Sequence, residues 1–166
     1  MPDDLRNIEF MQLALDLARS CIQSPDGRPF GAVVVIDNVV SGRGANATVR
    51  LCDPTAHAEV MAIRDACSRL QTHHLAHGSL YTSCEPCTLC LAAAMWAGIT
   101  DIYYASSTME ATRFGFADEE FYRQICLPLK DRKIQFHQLL ETQGRPIMEE
   151  FQSRRLRDDV RGFVSE

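Results

Sequence analysis

Apolar side chains recur near helical spacing over residues 4 to 23, at Leu5, Ile8, Met11, Leu15, Ala18 and Ile22. The chain therefore opens on an amphipathic helix. Ser24-Pro25-Asp26-Gly27 is turn chemistry and ends it. Two β-branched runs follow, Phe30 to Ile36 and Val39 to Gly44, parted by Asp37-Asn38, and read as a hairpin. Asp53-Pro54-Thr55 leads into a helix from about Ala56 to Leu70. Leu80 to Ser83 reads as a third strand, and Pro86 starts a helix that runs to about Ala97. Asp101 to Ala105 is a fourth strand. A loop, a helix from Asp118 to Cys126, a fifth strand at Ile134 to Leu139 and a helix from about Pro146 to Val160 complete the pattern. Strands alternating with helices predict an α/β domain, with helices packed on both faces of a mixed sheet.

Bulk properties narrow the class. The chain has 166 residues, enough for one domain, residues 1–166, with a real core. No apolar run approaches the roughly 20 residues of a membrane span, so no membrane partner is expected. Met1-Pro2-Asp3-Asp4 is acidic and lacks the basic start of a secretory signal, which predicts a cytoplasmic protein. Net charge is −5. The tail from Arg145 carries Arg154, Arg155, Arg157 and Arg161 as well, but sets Glu149, Glu150, Asp158, Asp159 and Glu166 against them. That balance reads as a solvated helix face and argues against a nucleic-acid partner. Seven cysteines, an odd count, point to thiols rather than a disulfide framework.

Candidate chemistry lies in two separated stretches, His57-Ala58-Glu59 and Pro86-Cys87-Thr88-Leu89-Cys90. His57, Cys87 and Cys90 offer one imidazole and two thiolates, a donor set suited to Zn2+ with a fourth position left for water. In mid-helix, side chains two residues apart point about 200° from each other. His57 and Glu59 can share a site only in a first helical turn. Cys87 and Cys90, three apart, lie on one helix face, and the partial positive charge of a helix start favours thiolate. Zinc with two thiolates and a neutral imidazole is formally uncharged, so its water needs a base, and Glu59 fills that need. A structural zinc site would be closed by a fourth protein ligand and would not need Glu59. Cys21, Cys52, Cys67, Cys84 and Cys126 read as core residues, although Cys84 stands three before a ligand. His73, His74 and His77 read as solvated loop histidines ahead of Gly78, and His137 as structural.

The paired half-motifs resemble the zinc-dependent cytidine deaminase-like superfamily. Asp53-Pro54-Thr55-Ala56-His57-Ala58-Glu59, Tyr81-Thr82-Ser83-Cys84-Glu85-Pro86-Cys87 and Gly115-Phe116-Ala117-Asp118 look like its bacterial guanine deaminase branch. The likeness runs from Gly27-Arg28-Pro29-Phe30-Gly31-Ala32 to the last helix. It departs at Thr88-Leu89-Cys90-Leu91-Ala92-Ala93, where the family often has Pro-Met-Cys-x-Gly-Ala, and at the terminal Phe163-Val164-Ser165-Glu166. The resemblance implies a three-layer α/β/α fold around a central five-stranded mixed sheet. It makes Glu59 and Asp118 catalytic, His57, Cys87 and Cys90 the zinc ligands, and Asn46, Phe30, Ala58 and Trp96 the substrate-binding set. Asp118 alternatively reads as a helix N-cap, and Phe30 and Trp96 as core.

The implied reaction is hydrolysis of guanine to xanthine and ammonia. Guanosine, an aminotriazine or an aminopteridine are alternative small-molecule substrates; tRNA adenosine is a further one from another class of partner. A zinc protein without activity is a third class, against which the intact Glu59 argues. The branch exchanges a C-terminal segment between subunits, so a homodimer is expected, with residues from about 107 to 166 swapped.

Overall fold

The structure, a computed structural model, describes residues 3–162. The terminal Phe163-Val164-Ser165-Glu166 lies outside the described residues. The tail charge balance falls in part on side chains from Arg157 onward that are likewise outside them. The chain divides into two compact units, Met1–Arg123 and Gln124–Glu166.

The first unit holds helix α1 (Asp3–Cys21), strands β1 (Gly31–Ile36) and β2 (Val39–Ala45), α2 (Ala58–Leu70), β3 (Ser79–Cys84), α3 (Thr88–Trp96), β4 (Asp101–Ser106) and α4 (Thr108–Arg113). Helix α5 (Glu119–Cys126) runs across the boundary. Strands β1 and β2 form the expected hairpin: Ile36 pairs with Val39, and Asp37 and Asn38 turn the corner at φ 49° and 61°. Two successive left-handed residues are what a tight hairpin turn demands. The sheet order is β2-β1-β3-β4, with β1 antiparallel to both neighbours and β3 parallel to β4. A parallel pair needs a crossover, and α3 supplies it.

Strand β1 is buried on both faces, hence its unbroken valine run. On one face Val33, Val35 and Tyr81 pack against Ala14 of α1. On the other, Ala32, Val34 and Leu80 meet Ala58, Ala62, Ile63 and Ala66 of α2, with Ala94 of α3 beside them. Three layers result, as anticipated. Of the apolar stripe expected on α1, Ala18 is buried and Met11 packs against the core, while Leu5, Ile8 and Ile22 are exposed and Ala14 is buried in addition.

Helix α2 lies directly on β2. A Cβ added at Gly42 would stand 2.2 Å from the Ala62 carbonyl oxygen, and one at Gly44 would stand 2.0 Å from that of Ala58. Only glycine permits this approach.

The sheet has four strands, which corrects the expected five. Residues 134–139 form no strand, and Ile134, Phe136 and Leu139 are exposed. Local bonds hold this stretch of the second unit instead. The Arg132 guanidinium donates to the Ile125 and Leu127 carbonyls, the Lys133 N–H to the Gln124 side chain, and the Gln135 amide to the Arg132 carbonyl. The second unit also contains a 3-10 turn (Leu129–Asp131) and α6 (Glu141–Gly162), which starts ahead of Pro146. None of its described residues is buried. Among the described residues, no helix is long and apolar enough to cross a membrane.

Candidate active site

Two helix starts build the centre. His57 is the N-cap of α2 and Cys87 the N-cap of α3, each with extended backbone and no capping hydrogen bond from its side chain. Their side chains are therefore free to face one point, and Glu59 and Cys90 join them from the first turns. The Asp53-Pro54-Thr55 lead-in fixes the first of these starts. The Asp53 carboxylate accepts from the Thr55 N–H at 2.8 Å and from its hydroxyl at 2.6 Å, and Arg64 of α2 lies 3.5 Å from its other oxygen.

His57 Nδ1 lies 3.5 Å from Cys87 Sγ and 3.4 Å from Cys90 Sγ, and the two sulfurs are 3.6 Å apart. A tetrahedral ion with zinc–sulfur and zinc–nitrogen bonds of about 2.3 and 2.0 Å sets donor–donor edges of about 3.5 to 3.8 Å. The three atoms thus outline one face of a zinc tetrahedron, open on the side of the cavity. Among the described residues no other group of histidine, cysteine and carboxylate donors converges this way. His73, His74 and His77 are exposed loop residues.

Charge at the centre is tightly coupled. The Cys90 thiol and the His57 ring draw the Cys87 thiol down to about 4 against the effect of burial. The shared hydrogen bond, then burial and Glu59, hold Cys90 far above the usual thiol range. Contact with Cys87 raises His57. Glu59 is 6% exposed, and burial raises its carboxyl above the ordinary range. Burial likewise raises Asp118.

The donors open into a cavity of about 590 Å3 whose lining includes Phe30, Asn46, Thr48, Glu59, Phe116 and Asp118. The Asn46 N–H donates to the Phe30 carbonyl, and the Ala47 N–H to that of Ala56, which sets Asn46 beside the His57 turn. Asn46 Oδ1 accepts from the Thr48 N–H at 3.2 Å and the Thr48 hydroxyl at 2.9 Å. A backbone N–H can only donate, so the amide oxygen is turned to Thr48 and the NH2 is left for the cavity. The Phe30 ring meets Phe116 edge-on, with centroids 4.8 Å apart.

Of the residues expected at the site, His57, Glu59, Cys87, Asn46, Phe30 and Asp118 line the cavity, and Cys90 stands behind them in the donor cluster. Two are not brought there. Trp96 is 88% exposed at the last residue of α3; nine residues beyond Cys87, about 13 Å along a helix, it has left the site behind. Ala58 is fully buried in the core between α2 and the sheet. Thr48 and Tyr122 were not anticipated. Asn-x-Thr is a recognisable side-chain turn, whereas nothing in the sequence marks Tyr122.

Residues 5–106 match the family described as cytidine and deoxycytidylate deaminase zinc-binding region. The chain belongs to this family. It is accordingly a zinc-dependent aminohydrolase, and the zinc-binding region of the family matches the stretch that holds all three donors. The guanine deaminase of Bacillus subtilis (strain 168) is 42% identical over 81% of this chain and 86% of its own. Its crystal structure superposes with a TM-score of 0.84 at 37% identity, covering 92% of this chain and 95% of that one. A tRNA-specific adenosine deaminase of Agrobacterium fabrum is 36% identical over 90% of this chain and 96% of its own.

Proposed function

We propose that this protein hydrolyses guanine to xanthine and ammonia. One observation carries the choice of ring: an amide held as a donor, Asn46, and two carboxyl groups, Glu59 and Asp118, line the same cavity as the metal donors. Guanine matches that array, with acceptors at O6 and N7 and donors at N1 and the 2-amino group. The Bacillus subtilis relative supports the same reading.

When bound, zinc supplies a Lewis acid that makes an attacking water acidic at neutral pH. Glu59 is the base that takes one proton from the attacking water and passes it to ring N3, then carries the remaining proton of the new C2 hydroxyl to the departing amino nitrogen. A C2–O bond forms, the C2–N2 bond breaks, and ammonia leaves. The raised affinity of Glu59 for protons suits a group that must both accept and return one. Asp118 accepts from the 2-amino group and steadies it as it leaves. Phe30 and Phe116 wall the ring.

The enzyme works as a homodimer in purine breakdown in the cytoplasm. Seven free thiols support a reducing compartment. Exposed apolar side chains support association: Met95, Trp96 and Phe114 in the first unit, and Leu139, Met148 and Phe151 in the second. Exchange of the C-terminal segment, from about residue 107 to 166, belongs to the same reading, and Asp118 would then serve the partner's cavity.

Ammonia release by zinc-loaded protein tests the substrate across guanine, guanosine, adenine, an aminotriazine, an aminopteridine and tRNA. Guanine should exceed the others by at least about tenfold, and Glu59→Gln should keep zinc while losing about 10²-fold or more in turnover. Faster turnover of tRNA adenosine would replace the reading by the one the Agrobacterium relative suggests.

A further inference from the structure

Asp118 stands where a loop runs into the short helix α5. Two side chains flank it. Ahead of it, Phe116 lies edge-on to Phe30. After it, the Tyr122 hydroxyl donates to the Pro86 carbonyl at 2.6 Å. A carbonyl offers no proton, so the direction of this bond is fixed. Pro86 is buried and immediately precedes Cys87, the N-cap of α3. Tyr122 also sits one helical turn from Asp118, its own N–H pointing at the Asp118 carbonyl at 3.3 Å. This side-chain hydrogen bond ties α5 to the metal-donor segment and joins the two halves of the site 36 residues apart in sequence.

We propose that Tyr122 is a positioning residue, holding Asp118 at the cavity by fastening the start of α5 to the carbonyl ahead of the first cysteine donor. The inference rests on the reading of Asp118 given above. Tyr122 touches no reacting atom; it acts through Asp118. Removing its hydroxyl should leave zinc in place and let Asp118 drift, and a displacement near 1 Å costs on the order of 10²-fold in rate.

The test is a double-mutant cycle of Tyr122→Phe and Asp118→Asn on the zinc-loaded protein, with zinc content measured for each variant. Tyr122→Phe should keep one zinc per chain and lose about 10- to 100-fold in kcat, with KM within about threefold of the parent. In the Asp118→Asn background the same change should cost less than about twofold, because the partner it positions is already gone. Additive losses, an unchanged Tyr122→Phe enzyme, or a fall in zinc content parallel to kcat would overturn the proposal. Hydrogen exchange supplies a reading independent of substrate: exchange should quicken across residues 116–123 and stay unchanged across 88–96. Quickening in both stretches would make Tyr122 a support of the metal segment instead. A wild-type enzyme silent on guanine would strike the substrate assignment alone, since the exchange result stands apart from it.

Discussion

Asn46 shows how much one side chain can decide. Its oxygen is committed to Thr48, so what it offers a substrate is N–H. In Asn46→Asp, one carboxylate oxygen can keep the bonds from Thr48 while the other replaces the NH2 with an acceptor. Guanine and 2,6-diaminopurine carry the same 2-amino group and differ along the C6–N1 edge. The variant should lose about 10²-fold or more in kcat/KM on guanine and distinctly less on 2,6-diaminopurine, shifting their ratio by at least about tenfold. Equal losses on the two rings would show that Asn46 does not read that edge. The donors and Glu59 were legible from residue type and spacing alone, because metal chemistry restricts both. Trp96 and Ala58 were not, since aromatic or small character says nothing about which way a helix end faces.

Among the elements, the helix starts matter most. Placing His57 and Cys87 as N-caps resolves the spacing problem posed by His57 and Glu59, which could not converge from mid-helix. Asp53 holds the first of these starts, and its hydrogen bonds with Thr55, helped by Arg64, lower its carboxyl below the ordinary value of 3.8. A lowered acid stabilises the fold above its unfolded value and loses that contribution as pH falls through its folded value. Asp53→Asn should therefore melt below the parent at neutral pH, with the gap closing as pH drops below about 4. A gap that stays constant from pH 7 to pH 2 in thermal scans would mean the charge is irrelevant to the turn. The four strands and the main helices were readable from periodicity. Helix α4 was missed although Ser107 and Glu110 form a capping box, a signal present in the sequence. The fifth strand failed for another reason. Alternation at 134–139 shows that a stretch can make a strand, but a ladder also needs a partner edge, and local bonds around Arg132 and Gln124 took its place.

At the scale of the molecule, the second unit has no buried residue of its own among those described, and such a unit does not persist alone in water. Light scattering after size exclusion should return about twice the chain mass of 18.7 kDa. Phe151→Asp, placing a charge on an exposed apolar position of α6, should shift the protein toward the monomer; an unshifted dimer would move the interface elsewhere. The expectation of association comes only through family resemblance, because composition does not distinguish an exposed apolar face from a misjudged core.

The metal donors and Glu59 stand on helices pressed against the sheet, with α2 so close that Gly42 and Gly44 leave no room for a Cβ. Asn46, Thr48, Phe116 and Asp118 stand on the connections between elements. The division separates what must stay constant from what is free to vary. Mutations in the connections can retune which ring is admitted without disturbing the hydrolytic centre, whereas drift beneath α2 would dismantle it. Such a scaffold can change diet by small steps, and relatives at 42% and 36% identity that bear the names of a guanine and a tRNA-adenosine deaminase are the kind of divergence it allows.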